Sequence, residues 1–482
     1  MIPILFVLLL TSFQSPPTTA KPTDFFVELT KQPYYIDKTD LLHEISKFTN
    51  NYDFVACPSR FLKTSNLHMI KSFYQLEFDA QGTPKNYTDT ETFAFFKNFK
   101  IANHSTTFIQ NRMANHPVML IDLKYNVSQV KTIPEVDTLI NTKLQEAFSD
   151  FFDMLPKQPT PTSEFEITKF ETEFVQKLRN GTANHFELSY GLYRLSNVLF
   201  KYFKHRVIVL IDNYDYAANE AVLKHPELLD TDGAVHYFYS SINNMFRKTF
   251  KDNRKFKNYA LMAGISGRIE YADNEVKENQ FLDEHRFTSY FGFTESEIDD
   301  LLNRYNASIG EIIDVRAYYG SYLTRMKKTR MYSPYSIIQY ILDGRFKPAD
   351  ENKRFHFEPY WAKTEDQAFF QQALKSDSFR YKLDSLVTNT SDYVSISSQY
   401  RSSTALDTFV RTINEKKPSF KGVQQFDESL LCKYIFETGY LCYAQFAKDT
   451  NNMILVNEEI KESVKATVRE FKKGILSEMK KS

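Results

Sequence analysis

Val207-Ile208-Val209-Leu210-Ile211-Asp212-Asn213-Tyr214-Asp215 is the most informative segment of the chain. An unbroken apolar run, rich in β-branched residues and closed by an acid, reads as a strand buried on both faces that delivers Asp212 to one end of a sheet. The segment before it, Leu188–Phe203, has helical spacing, so strand and helix alternate here. That alternation predicts a mainly parallel sheet covered by helices. In open sheets of this kind ligands gather beyond the carboxyl ends of the strands, which makes Asp212 and Asp215 the first candidate site residues.

Tyr52–Ala56, Val118–Leu123 and Ala260–Ile265 read as further strands. After the first, Leu67, Ile70, Phe73 and Tyr74 recur at helical spacing, so strand passes to helix through the short segment Cys57–Thr64. Phosphate sites are built at such junctions because a helix N-terminus presents unpaired N–H groups. Val136, Ile140, Ala147, Phe148, Phe151 and Phe152 form the stripe of a helix, and another is expected around Phe165–Leu178. The proline- and threonine-rich stretch Leu155–Ser163 reads as a linker or exposed loop.

Beyond Phe293 the strand signal fades. Thr294-x-x-Glu297 is a capping box opening a helix through Leu302, and Ser333-Pro334 caps another to Leu342. Glu458–Lys481 carries Val464, Val468, Phe471 and Ile475 as one apolar stripe. The expected organisation is a signal peptide over 1–20, an α/β domain over 21–293 and a mainly helical region over 294–482.

The bulk properties narrow the function. The 60 basic and 60 acidic side chains cancel, so net charge argues for neither a nucleic acid nor an anionic membrane as partner. Ile4–Leu10 is an apolar run followed by the polar, proline-bearing Ser12–Thr19, with small Thr18 and Ala20 at cleavage spacing. This pattern predicts secretion with cleavage near Ala20. The run is too short to span a bilayer, and no later one approaches the required length, so no membrane span is expected in the mature chain. In the secretory pathway Asn86, Asn103, Asn126, Asn180, Asn306 and Asn389 become candidate glycan acceptors. Cys57, Cys432 and Cys442 are too few for a disulfide framework. Cys432 and Cys442 could pair only if the chain turns near Gly439, since ten residues of straight helix hold them about 15 Å apart. No metal-ligand spacing occurs, so no metal site is expected.

Several segments together carry a resemblance: Pro33-Tyr34-Tyr35-Ile36-Asp37-Lys38-Thr39-Asp40-Leu41, Cys57-Pro58-Ser59-Arg60-Phe61-Leu62-Lys63-Thr64, Val209-Leu210-Ile211-Asp212-Asn213-Tyr214-Asp215, Ala263-Gly264-Ile265 and Ser289-Tyr290-Phe291-Gly292-Phe293-Thr294-Glu295. In this order they resemble the landmarks "YVDKT", "RPRRFGKS", "VLIDEYD", "LTGI" and "EYFGFTEEE" of the predicted AAA-ATPase-like family, best known from bacteria. Tyr318–Tyr322 and Tyr332–Ile337 echo its later "WYDGY" and "YNPWSI". The resemblance implies a P-loop NTPase-type fold and places Arg60, Lys63, Thr64, Asp212 and Asp215 in a nucleotide site, with Mg-ATP as cofactor where that site functions. Many members continue into a nuclease-like domain, which the resemblance does not reach, so nuclease activity is not carried over.

The departures fall on the chemistry. Leu62 stands where the loop has glycine before its lysine, and a non-glycine residue held left-handed costs about 1–2 kcal/mol, besides placing an isobutyl group near the anion. Lys63 and Thr64 keep the types that would touch the β/γ-phosphates and magnesium. Asn213 replaces the glutamate after the acid, and an amide cannot take a proton from an attacking water. Ala263 replaces a threonine. Each retained residue also has a plain structural reading: Lys63 as a lysine at a helix start, Asp212 as a strand-end acid satisfied by amides, Cys57 as a small buried residue, Arg60 and Arg268 as surface or ion-pair residues. The expectation is therefore a vestigial site with no catalytic residue, in a secreted protein that acts by binding an unidentified protein or other macromolecule and needs no cofactor. The alternative is an ATP binder or weak ATPase working through Lys63, Thr64 and Asp212.

Overall fold

The computed structural model describes residues 24–479 except 48–51, 80–82, 156–166, 225–232, 253–256, 266–277, 283–285, 321, 326–328, 347–354, 365–373, 375–376, 389–392, 396–427 and 445–451. The Ile4–Ala20 run, Asn389, Arg268 and most of the Leu155–Ser163 stretch lie outside the described residues.

The four apolar runs become β1 (Tyr52–Ala56), β2 (Val118–Asp122), β3 (Val207–Asp212) and β4 (Lys257–Gly264) of a parallel sheet, which the polar triplet β5 (Glu278–Gln280), not foreseen from the sequence, extends in the order β2-β3-β4-β1-β5. Side chains alternate across a strand, so each run feeds two cores. Ile208 and Leu210 join the apolar cluster on one face with Val55, Leu261 and Ala263. Val207, Val209 and Ile211 join the other with Phe54, Ala56 and Met262. Every residue of β3 is buried, which is why its run is continuous instead of alternating. Full burial of each aliphatic side chain contributes about 1.5–3 kcal/mol, so the β3 run anchors the sheet.

Helices cover both faces. Lys63–Tyr74, opened directly by the turn after β1, buries Leu67, Ile70, Phe73 and Tyr74 on the first face. Ile133–Phe148, Lys169–Arg179, Gly191–Phe203 and Ala234–Arg247 line the second with Val136, Leu144, Phe174, Leu195 and Phe238. The first cluster continues from Phe26 to Val468, so residues on both sides of position 293 share one core.

The C-terminal part is mainly helical, with Glu295–Arg304, Ile309–Tyr319, Pro334–Leu342, Asp377–Thr388, Glu428–Glu437 and Glu458–Met479. The Thr294–Glu297 capping box forms, and Ser333 accepts from Ser336 N–H to cap the Pro334 helix. Two small antiparallel sheets also occur there: β6 (Phe293–Thr294), β7 (Tyr322–Leu323) and β8 (Arg330–Tyr332) in one, β9 (Val394–Ser395), β10 (Leu441–Tyr443) and β11 (Asn452–Leu455) in the other. The sequence reading did not foresee them, because two to four residues are too few for a period-two pattern to register.

The opening motif works as a joint. Lys38 is buried and its Nζ donates to both oxygens of Glu297 at 2.7 and 2.6 Å and to the Ser289 carbonyl at 2.7 Å. Burial pulls the Lys38 ammonium down to about 8 while the Glu297 charge resists. Glu297 also receives the Thr294 N–H at 2.8 Å, so one carboxylate closes the helix cap and holds the N-terminal segment. Among the sequons, Asn86, Asn103, Asn126, Asn180 and Asn306 are exposed. The chain turns at Gly439 with φ +101°, between buried Cys432 and Cys442. No described helix is long and apolar enough to cross a membrane.

Candidate functional site

With β4 between β1 and β3, the loop after β1 and the acid ending β3 stand two strand spacings apart, roughly 10 Å. Side chains bridge that distance. Cys57 N–H donates to the Gly264 carbonyl at 3.0 Å, which holds the start of the loop against the end of β4. The chain then passes through two left-handed non-glycine residues, Arg60 at φ +62° and Leu62 at φ +61°, before the helix begins at Lys63. Leu62 occupies the helix N-cap without a side-chain hydrogen bond, and its half-buried side chain packs against the first apolar cluster. The departure from glycine is thus felt as backbone strain of about 1–2 kcal/mol.

Lys63 is buried. Its ammonium donates to the Cys57 carbonyl at 2.8 Å and the Pro58 carbonyl at 2.5 Å, folding back into its own loop. Thr64 Oγ1 donates to Asp212 Oδ2 at 2.6 Å and closes the gap to β3. Arg60 turns the other way, its guanidinium 4.5 Å from the Tyr335 ring centroid in the helical part. Burial pushes the Cys57 thiol up to about 11, against the pull of the Lys63 charge, so Cys57 is a poor nucleophile.

At the carboxyl edge Asp212 is fully enclosed and accepts the Asn213 N–H at 3.0 Å through Oδ1. Its register partner on β2 is Asp122. Burial first, and the Asp122 charge second, raise Asp212 to about 7, while Thr64, Lys63 and the Asn213 N–H oppose the shift. Asn213 adopts φ +54° and donates Nδ2–H to Asp122 Oδ1 at 2.9 Å. Asp215 Oδ2 accepts from Asn219 Nδ2 at 2.9 Å and from the Ile265 N–H at 3.0 Å, tying the helix Tyr216–Lys224 to the end of β4. A Cβ on Gly264 would lie 2.0 Å from the Tyr214 ring, so the close approach there requires glycine. Ala263 is fully buried in the apolar cluster.

The structure therefore brings Lys63, Thr64, Asp212 and Asn213 together, places Asp215 in a structural tie beside them and turns Arg60 toward Tyr335. Asp122 is the residue that the sequence reading missed. Val118-Met119-Leu120-Ile121-Asp122 repeats the pattern of an apolar run closed by an acid, which was the available signal.

Magnesium-nucleotide fits this constellation in part. Thr64 Oγ1 and the Asp212 carboxylate are the hard oxygen donors that would hold magnesium, and Lys63 would meet the phosphates. The loop end fits less well: Leu62 strains the turn, and Lys63 is satisfied by two carbonyls of its own loop.

A parallel sheet with a strand-to-helix loop facing an acid-tipped central strand defines an α/β protein of the P-loop NTPase type. The family model for the predicted AAA-ATPases matches residues 23–267, and the chain belongs to that family. Among solved structures it is similar to the Walker-type ATPase of Pyrococcus abyssi at 12% identity, over 90% of this chain and 96% of that one, with a TM-score of 0.41. No curated protein matches the sequence.

Proposed function

We propose that this AAA-ATPase-like protein is catalytically silent, is exported, and acts by binding another macromolecule through the surface of a retained scaffold. The observation that carries the reading is Asn213. At the position where the family resemblance puts a glutamate, a neutral amide sits hydrogen-bonded to Asp122, and it cannot accept a proton from water at neutral pH. Strain at Leu62 and the inward-folded Lys63 add support. The Ile4–Ala20 segment supports export, and an exported chain meets little ATP to drive a hydrolytic cycle. The exposed sequons are compatible with passage through the secretory pathway.

One observation favours the second reading, a nucleotide binder without turnover: the Thr64–Asp212 pair at 2.6 Å keeps both magnesium-organising groups. Phosphate release by the purified chain, compared with Lys63→Ala, tests the first reading. The two should show the same background rate. A Lys63-dependent rate would refute catalytic silence.

A further inference from the structure

The phosphate loop is gripped from outside by the helical part, and the grip converges on Trp361, the sequence's single tryptophan. Trp361 is completely buried, and its indole Nε1–H donates to the Ser59 carbonyl at 3.1 Å. Its backbone N–H donates to Glu459 Oε1 at 2.6 Å. Glu459, at the start of the last helix, is itself buried and accepts the Ser336 hydroxyl at 2.9 Å. One carboxylate thus joins the Pro334–Leu342 helix, the Trp361 segment and the Glu458–Met479 helix behind the loop.

Two further contacts press on the same few residues. A Cβ on Gly439 would lie 2.8 Å from the Pro58 ring and 3.3 Å from the Trp361 indole, so the chain passes there at backbone distance. Tyr335, next to Ser336, stacks under the Arg60 guanidinium. Pro58, Ser59 and Arg60 are therefore each held from the helical side. Pro58 also supplies one of the carbonyls that capture Lys63 on the inner side.

We propose that the helical part locks the loop in its self-satisfied form: Trp361, seated by Glu459, fixes Ser59 and thereby keeps the Cys57 and Pro58 carbonyls on the Lys63 ammonium. Trp361 is a positioning residue that touches no reacting atom. An anion entering the loop would need the space and charge that Lys63 now gives to those carbonyls, so the lock closes the site until Trp361 is displaced. The segment around Trp361 becomes the point at which a bound partner would open the loop. The inference rests on the loop assignment and not on whether nucleotide binds.

The test is amine labelling of the full chain with N-hydroxysuccinimidyl acetate, read residue by residue by mass spectrometry without nucleotide. Lys38 is the internal control, because it is equally buried but held by Glu297 away from the lock. Trp361→Phe keeps a ring and removes the indole N–H. It should raise Lys63 labelling by about tenfold while Lys38 stays unchanged, as expected for a local opening that loses one hydrogen bond. Tyr335→Leu, which leaves Trp361 in place, should raise Lys63 labelling less, and it serves if the first variant does not fold. Lys63 labelling that stays at the wild-type rate in the folded variant would overturn the proposal. So would a parallel rise at Lys38, which would mark general loosening. Neither outcome bears on phosphate release.

Discussion

Asn213 donates its side-chain amide to Asp122 Oδ1 at 2.9 Å, across the carboxyl ends of two neighbouring strands. The pairing accounts for both unusual features of Asn213. Asparagine tolerates the left-handed backbone seen at φ +54°, and its N–H₂ offers a donor where Asp122 and Asp212 already crowd two acids. A glutamate there would add a third.

Asn213→Glu should accordingly destabilise the fold by about 1–3 kcal/mol, through the lost hydrogen bond, like-charge contact with Asp122 and a less tolerant backbone position. Urea unfolding measures it. An unchanged midpoint would show that the Asn213–Asp122 bond carries no stability.

Asp212 should make stability depend on pH. Its folded value, about 7, lies above the ordinary 3.8, so between those values the native state keeps a proton that the unfolded chain has released. Its contribution is fully present below about 4, is lost as pH rises through about 7 and stays lost above. Asp212→Asn should therefore gain stability relative to wild type as pH rises from 5 to 8, and melting curves at both values check it. Glu459, raised to about 7 by burial, acts in the same direction and remains in the variant.

Leu62→Gly relieves the left-handed strain at the start of the Lys63 helix. Part of the gain is offset by the greater freedom of glycine in the unfolded chain, leaving a net stabilisation of about 1 kcal/mol or less. A loss of stability would mean that Leu62 packing against the core outweighs its backbone cost.

Lys38→Met leaves Glu297 without its buried cation and should cost about 3–5 kcal/mol. The double variant Lys38→Met, Glu297→Gln should recover part of that loss, since no uncompensated charge then remains. Denaturant midpoints of the three chains give the comparison.

The core strands were legible because burial writes itself as continuous apolar runs, complete at Val207–Ile211 and nearly so at Val118–Ile121, whereas Glu278–Gln280 pairs at the sheet edge with no apolar run to announce it. Caps at Thr294 and Ser333 were legible for a local reason: the interacting groups lie three residues apart. The loop–acid juxtaposition came from the family resemblance, since nothing in local sequence places Thr64 beside Asp212, 148 positions away. Asp122 was hidden because its role exists only through strand pairing. The grip of Trp361 on Ser59 joins residues 302 positions apart and left no periodic trace at all.

With Lys63 held by the carbonyls of its own loop, that loop should take up no Mg-ATP, and thermal melting of the intact chain with and without millimolar Mg-ATP measures this. Ligand at 100 times its dissociation constant would add about 2.7 kcal/mol to the native state. Superimposable melting curves are expected. A clear upward shift that Lys63→Ala abolishes would show that the loop still binds nucleotide.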